Sequence, residues 1–79
     1  MRMSTKSSIV WSQSTCTYCV SAKTLLESKG YTVEERKIDG GQWSKKDLLD
    51  AVPSARSVPQ IFIGDKYIGG FNELVKYLQ

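Results

Sequence analysis

The sequence contains no histidine and only two cysteines, Cys16 and Cys19, in 79 residues. Without histidine, the chain cannot supply a histidine general base, a Cys–His protease pair or a histidine-ligated zinc ion. Two cysteines are too few for a disulfide-stapled secreted scaffold or for a four-cysteine metal site within one chain. A chain of this length forms one small domain with a modest core, so its chemistry must rest on a few residues.

Charge and apolar runs are also limited. Eleven lysine and arginine residues against eight aspartate and glutamate residues give a net charge of +3, with no basic run longer than Lys45-Lys46. The longest apolar runs span three residues, whereas a membrane helix needs roughly 20 and a signal peptide about seven or more. We therefore expect no nucleic-acid partner and no membrane partner. We predict a monomer in a reducing cytoplasm, where disulfides rarely serve as structural staples.

The hydrophobic pattern predicts a single domain over residues 1–79 with the element order β-α-β-α-β-β-α and a loosely ordered start at residues 1–6. Strands are expected at residues 8–12 and 31–38, and a hairpin at residues 61–68. The first helix should begin near Cys16, be capped by Ser14 or Thr15, and end before Gly30.

Two further helices complete the pattern. The spacing Ser44-x-x-Asp47 resembles a capping box and predicts a helix that stops before Pro53. The last helix should present one apolar face, formed by Phe71, Leu74, Val75 and Leu78. The first two strands should be parallel with a right-handed crossover, and the hairpin should extend the sheet antiparallel. The fold class is therefore α/β, a four-stranded mixed sheet flanked by three helices on both faces, since the first and third strands are apolar without alternation.

The spacing Cys16-x-x-Cys19 carries the strongest chemical signal. At the start of a helix, free N–H groups and the helix dipole favour a thiolate at Cys16, which is the nucleophile of thiol–disulfide exchange. Cys19, one turn later and more buried, should stay protonated to higher pH and resolve the mixed disulfide. Two other interpretations stay open: a pair of core thiols, and half of a zinc site completed by a second chain or by carboxylates.

Two downstream motifs indicate ligand binding more weakly. From the dipeptide alone, Val58-Pro59 favours an ordinary turn before a strand, although a cis bond would aim the Val58 backbone at the thiols. An extended peptide could then pair with that backbone as an added strand. Gly69-Gly70 before a helix allows close approach of an anion to free N–H groups, or is simply a strand-to-helix turn.

Together these motifs resemble the glutaredoxin family, specifically its small dithiol type found in bacteria and phages. The resemblance runs from Ile9 to Leu78 and rests on Cys16-Thr17-Tyr18-Cys19, Ser57-Val58-Pro59 with the following Gln-Ile-Phe-Ile, and Gly-Gly shortly before Asn72. It implies a thioredoxin fold and glutathione-dependent reduction of protein disulfides and glutathionyl mixed disulfides. Cys16 would be the nucleophile and Cys19 the resolving thiol. The implied glutathione-binding residues are Gln13, Thr17, Tyr18, Arg56, Ser57, Val58, Pro59, Gly70, Phe71 and Asn72.

Three positions depart from the family pattern and motivate two alternatives. Thr17 replaces a common proline, which leaves the motif freer to change its geometry. Two chains could then share a [2Fe–2S] cluster that is ligated by Cys16 and glutathione from each of them. No other metal is expected. Gln13 replaces a frequent lysine and Asn72 a frequent aspartate, with Arg56 as a compensating cation. A weaker glutathione site would suit a redoxin served by thioredoxin reductase that donates electrons to ribonucleotide reductase.

Overall fold

A computed structural model describes residues 6–79 of the chain. The elements, in chain order, are β1 (Ser7–Ser12), α1 (Thr17–Ser28), β2 (Thr32–Lys37), α2 (Lys45–Ala51), β3 (Gln60–Ile63), β4 (Lys66–Gly69) and α3 (Phe71–Leu78). The predicted element order is therefore confirmed. The predicted loose start at residues 1–6 falls mainly on residues 1–5, which lie outside the described residues. No helix within residues 6–79 is long and apolar enough to cross a membrane.

The four strands form one mixed sheet in the order β2-β1-β3-β4. β1 runs parallel to β2, with Val10 opposite Glu35, and antiparallel to β3, with Val10 opposite Ile61. β4 then pairs antiparallel with β3 as the second strand of the hairpin. The central strand β1 is buried on both faces, which explains its continuous apolar run.

Helices cover both faces of this sheet, as predicted. On one face α1 and α3 pack through Ala22, Leu26 and Leu74, which are fully buried against Val10 and Ile61. On the other face the short helix α2 contributes Leu48, with Val52 after its end, against Trp11 of β1. Because α1 and α3 share a face, their N-terminal ends can contribute to the same surface region.

Local signals set the helix ends. Gly30 follows α1 with φ +88°, a left-handed conformation that glycine adopts at least cost. The capping box at α2 is present, since Ser44 Oγ accepts the Asp47 N–H and Asp47 Oδ2 accepts the Ser44 N–H. The predicted cap of α1 was wrong: the N-cap residue is Cys16 itself, one residue after Thr15.

Candidate active site

Cys16 lies at the first position of the redox motif and serves as the N-cap of α1. Its Sγ accepts the backbone N–H of Cys19 at 3.1 Å. The sulfur therefore takes the role that a serine or aspartate oxygen normally has at an N-cap. Cys16 and Cys19 are joined as a disulfide with their Cα atoms 5.2 Å apart. When the disulfide is reduced, the same N–H and the helix dipole favour a thiolate at Cys16 over a thiol.

The two sulfurs differ in their access to solvent. Cys19 is 1% exposed and packs among core residues, whereas Cys16 is half-buried at the surface. The neighbouring Tyr18 is 63% exposed, and its ring lies 5.7 Å from that of Phe71, at the start of α3. An incoming disulfide can therefore reach Cys16 directly, while Cys19 can act only on a group already bound to Cys16.

The loop before Cys16 is held by a carboxylate from the segment after β2. Both carboxylate oxygens of Asp39 accept the Ser14 backbone N–H at 3.1 Å, and Oδ1 also accepts the Ser14 hydroxyl. The N–H of Ser14 is the main reason that the pKa of Asp39 lies below its ordinary value. Ser14, one of the two residues expected to cap the helix, therefore fixes the loop to Asp39.

A second carboxylate is bonded to the end of β1, just before the same loop. Glu35 accepts hydrogen bonds from the fully buried Ser12 hydroxyl at 2.7 Å and from Lys23 Nζ at 2.9 Å. Burial alone would raise the pKa of Glu35, but the hydrogen bonds from Lys23 and Ser12, with the charge of Lys23, outweigh it and lower this pKa. These bonds tie the end of β1 to β2 and α1 directly before the redox loop.

The Val58–Pro59 segment faces the redox centre. Its peptide bond is cis, contrary to the ordinary turn that the dipeptide alone favours. The Val58 carbonyl oxygen lies 3.8 Å from Cys16 Sγ. An extended backbone bound to Cys16 would therefore run directly alongside Val58.

A cleft of about 250 Å³ opens next to this segment. Its walls are Tyr18, the Ser57–Val58–Pro59 segment, and the N-terminal end of α3 from Gly70 to Glu73. Gly70 is the N-cap of α3, and its own N–H donates to Glu73 Oε1 at 2.9 Å. The structure thus brings seven of the predicted binding residues together: Tyr18, Ser57, Val58, Pro59, Gly70, Phe71 and Asn72.

Gln13 and Arg56 lie in an adjoining cavity instead. This cavity of about 150 Å³ shares Ser57 and Val58 with the cleft and is also lined by Lys45. Thr17 is exposed and lines neither cavity. The two cavities differ in charge. The charged residue that lines the cleft is Glu73, whereas the charged residues that line the adjoining cavity are Lys45 and Arg56.

Sequence reasoning missed Glu73 and Lys45. The spacing Gly70-x-x-Glu73 matches the acidic third position of a capping box and could have drawn attention to Glu73. Lys45 is the first residue of α2, but no local pattern relates that position to the cysteines.

Among residues 6–79, no three histidine, cysteine or carboxylate side chains meet as a metal site. The described residues of one chain therefore do not assemble a cluster site on their own.

Comparison with known proteins agrees with this geometry. The family model described as Glutaredoxin matches residues 5–68. Glutaredoxin 3 of Escherichia coli is 38% identical over 65 residues, covering 82% of this chain and 77% of that protein. The holo form of glutaredoxin C1 from Populus tremula x tremuloides superposes with a TM-score of 0.78 at 30% identity, over 91% of this chain and 73% of that one.

A glutaredoxin–glutathione complex from buckwheat has a TM-score of 0.76 at 28% identity, over 90% of this chain and 66% of that one. These structures share the thioredoxin fold, which is the predicted mixed sheet with three helices. The family model takes in both cysteines and the Val58–Pro59 peptide. Since that match spans most of the sequence and includes the redox pair, the chain belongs to the glutaredoxin family.

Proposed function

We propose that this thiol–disulfide oxidoreductase draws its electrons from glutathione and reduces glutathionyl mixed disulfides as well as protein disulfides. The observation that supports this most directly is the cleft between Val58 and the start of α3, immediately beside Cys16. The cleft and its neighbour together have room for a small peptide whose thiol reaches Cys16 Sγ. Glutathione is such a peptide, with carboxylates at both ends and an ammonium at one.

The charges around the two cavities suit that ligand. Lys45 and Arg56 provide cations for the glycine carboxylate in the adjoining cavity. At the other end, the N-terminus of α3 offers N–H groups to the γ-glutamyl carboxylate, and Glu73 offers a carboxylate to its ammonium. Between the ends, the backbone of Val58 pairs with the cysteine residue of the ligand. Opposite charges at the two ends favour one orientation of the peptide over the reverse.

Reduction of a glutathionyl mixed disulfide proceeds in two exchanges. The Cys16 thiolate attacks the sulfur of the glutathionyl group, so that a Cys16–glutathione disulfide forms and the substrate thiolate leaves. A second glutathione thiolate then attacks the bound glutathione sulfur. Glutathione disulfide leaves, and the Cys16 thiolate is regenerated. This route does not require Cys19.

Reduction of a protein disulfide uses both cysteines. Cys16 attacks one sulfur of the substrate and releases the other as a thiolate, which takes up a proton. The Cys19 thiolate then attacks Cys16 Sγ, which frees the fully reduced substrate and leaves the Cys16–Cys19 disulfide. Two glutathione molecules return this disulfide to the dithiol and are released as glutathione disulfide.

The test is the reduction of a glutathionylated peptide by glutathione, coupled to a flavoenzyme that recycles glutathione. We expect Cys16→Ser to abolish turnover of the glutathionylated peptide. Cys19→Ser should retain this turnover but lose the reduction of protein disulfides. Unchanged turnover in Cys16→Ser would contradict the assigned nucleophile. Reduction of the wild-type protein by thioredoxin reductase but not by glutathione would contradict this proposal and favour the redoxin alternative. Ribonucleotide reductase is then the substrate to test.

Cluster binding is the second candidate, supported by the surface position of Cys16 next to the glutathione-sized cleft. One chain offers a single accessible thiolate, because Cys19 is 1% exposed. A [2Fe–2S] cluster, which takes four thiolates, would therefore need two chains and two glutathione molecules. Anaerobic reconstitution with iron, sulfide and glutathione, followed by visible spectroscopy and gel filtration, tests this: a colourless monomer rejects the cluster.

We further propose that the protein works as a monomer in a reducing cytoplasm. The location is supported by chemistry, since regeneration by glutathione requires a compartment that keeps the glutathione pool reduced. Gel filtration of the apoprotein and fractionation of expressing cells test the two statements separately.

A further inference from the structure

A chain of hydrogen bonds connects the edge strand β4 to the wall of the cleft. Tyr67 Oη donates to Gln60 Oε1 at 2.5 Å, and Gln60 Nε2 donates to the Ser57 carbonyl oxygen at 2.8 Å. Gln60 is 7% exposed, whereas Tyr67 is 46% exposed. The chain therefore starts at the hydroxyl of a partly exposed tyrosine and ends at the peptide group that joins Ser57 to Val58.

The glutamine amide is well suited to this link. Its carbonyl oxygen can only accept and its amino group can only donate, so one side chain serves Tyr67 and Ser57 at once. Because Gln60 is buried, losing either partner leaves a polar group without its bond and favours a different side-chain position. A change at Tyr67 is thereby passed to Ser57 through a single side chain.

Ser57 and Val58 form the wall shared by the cleft and the adjoining cavity. The Val58 carbonyl also lies 3.8 Å from Cys16 Sγ. Rotation of the Ser57–Val58 peptide would thus misalign the backbone groups on which the bound peptide depends. Cys16 is held separately, because its Sγ caps α1 by accepting the Cys19 N–H.

We propose that Tyr67 is a positioning residue for the peptide ligand, and that it acts through Gln60 on the Ser57–Val58 backbone. This inference rests on the proposed function, since the ligand is the glutathionyl group bound there. Tyr67 lines neither cavity and belongs to the edge strand β4. Its effect on binding is therefore indirect, and the group that touches the ligand is the Val58 backbone.

The experiment compares Tyr67→Phe with Tyr77→Phe in the glutathionylated-peptide assay. Both variants lose only a hydroxyl from an exposed ring, because Tyr77 is 43% exposed and lies on α3. We expect Tyr67→Phe to raise KM for the glutathionylated peptide about threefold to tenfold, the range of one hydrogen bond, with kcat within about twofold of wild type. Tyr77→Phe should match the wild type in both constants.

A double-mutant cycle tests the route through Gln60. In a Gln60→Met background, Tyr67→Phe should raise KM no further, since the link is already broken. Independent effects that multiply in the double variant would show that Tyr67 acts by another route and would overturn the proposal. So would an unchanged KM in Tyr67→Phe, a comparison that decides the matter even if Gln60→Met does not fold.

Two further measurements separate a loss of ligand positioning from a loss of stability. The thermal unfolding midpoints of the two tyrosine variants should agree within a few degrees, so that a KM effect confined to Tyr67→Phe cannot be attributed to general destabilisation. In NMR spectra of the oxidised protein, Tyr67→Phe should shift the amide resonances of Ser57 and Val58, and Tyr77→Phe should not. A wild-type protein without glutathione-dependent turnover would refute the proposed function, whereas an active wild type with unmoved KM in Tyr67→Phe refutes this inference alone.

Discussion

Individual side chains decide how the redox loop is held in place. Asp39 and Glu35 both accept hydrogen bonds from serines just before Cys16, and the pKa of each carboxyl lies below its ordinary value. Neither contact belongs to the regular pairing of the sheet. The reactive cysteine is therefore positioned by polar side chains of β2 and of the loop after it, as well as by its own helix.

Asp39→Asn should loosen the loop that leads to Cys16. The amide keeps one acceptor for Ser14 but loses the charge that strengthens these bonds, so we expect kcat/KM to fall by about two- to fivefold. The coupled assay at pH 7 measures it. Asp50→Asn is the matched control, since Asp50 is exposed and pairs with Lys46 at 3.4 Å. Equal kcat/KM in the two variants would contradict a role of Asp39 in holding the loop.

Glu35 should make stability depend on pH. Because its folded pKa is lowered from 4.5, the stabilisation is complete well above pH 4.5 and is lost as pH falls through the folded value. Glu35→Ala also leaves the buried Ser12 hydroxyl without its acceptor, which costs about 1–3 kcal/mol.

Urea unfolding of wild type and Glu35→Ala between pH 7 and pH 3 measures this effect. The difference in unfolding free energy should be largest at neutral pH and shrink below about pH 4.5. Glu27→Ala, at an exposed position of α1, controls for loss of a surface carboxylate. A difference that stays constant down to pH 3 would show that the charge of Glu35 contributes nothing.

At the scale of elements, the junction between β4 and α3 is closely packed against Glu73. Gly69 has φ +120°, and a Cβ there would lie 3.1 Å from Cγ of Glu73. Glu73 in turn accepts the Gly70 N–H at the start of α3. A side chain at Gly69 would push Glu73 away and shift the helix end that closes the cleft.

Gly69→Ala should therefore destabilise the fold and weaken ligand binding together. We expect a loss of about 1–3 kcal/mol from the backbone conformation, with a further cost from the contact with Glu73. Gly41→Ala is the matched control, because Gly41 has φ +97° but nothing within 4 Å of its Cβ position. Thermal unfolding measures the stability of both variants, and KM for the glutathionylated peptide measures their ligand binding. Equal effects in the two variants would mean that the contact with Glu73 is unimportant.

At the scale of the whole molecule, a 79-residue chain stabilises two small cores on either side of one sheet. The core shared by α1 and α3 also aligns the two helix N-termini that border the cleft. Loosening that core should affect both the free energy of unfolding and the geometry of the site. The core beneath α2 supports Val58 from the other side.

Leu26→Ala should remove a large part of the total stability. Leu26 of α1 is fully buried in the core that α1 forms with α3 and the sheet. Truncation of such a side chain costs about 2–5 kcal/mol through lost burial and the cavity left behind. Val20→Ala on the same helix is the control, since Val20 is 57% exposed and should change stability by about 0.5 kcal/mol or less. Urea unfolding at neutral pH measures both, and similar midpoints would contradict the packing described for α1.

Taken alone, the amino-acid sequence determined the element order, the parallel and antiparallel pairing, the coverage of both sheet faces and the redox pair. These follow from local periodicity, from capping and turn residues, and from the Cys-x-x-Cys spacing, which act over a few residues. Only the tertiary structure decided that Cys16 caps its own helix, that Ser14 binds Asp39, and that Glu73 and Lys45 border the two cavities. Asp39 and Ser14 are 25 positions apart, and such contacts depend on how β2 and α3 are placed around the redox loop. Hydrogen bonds and charges across that distance leave no periodic trace in the sequence, because the sheet and its two cores bring their partners together.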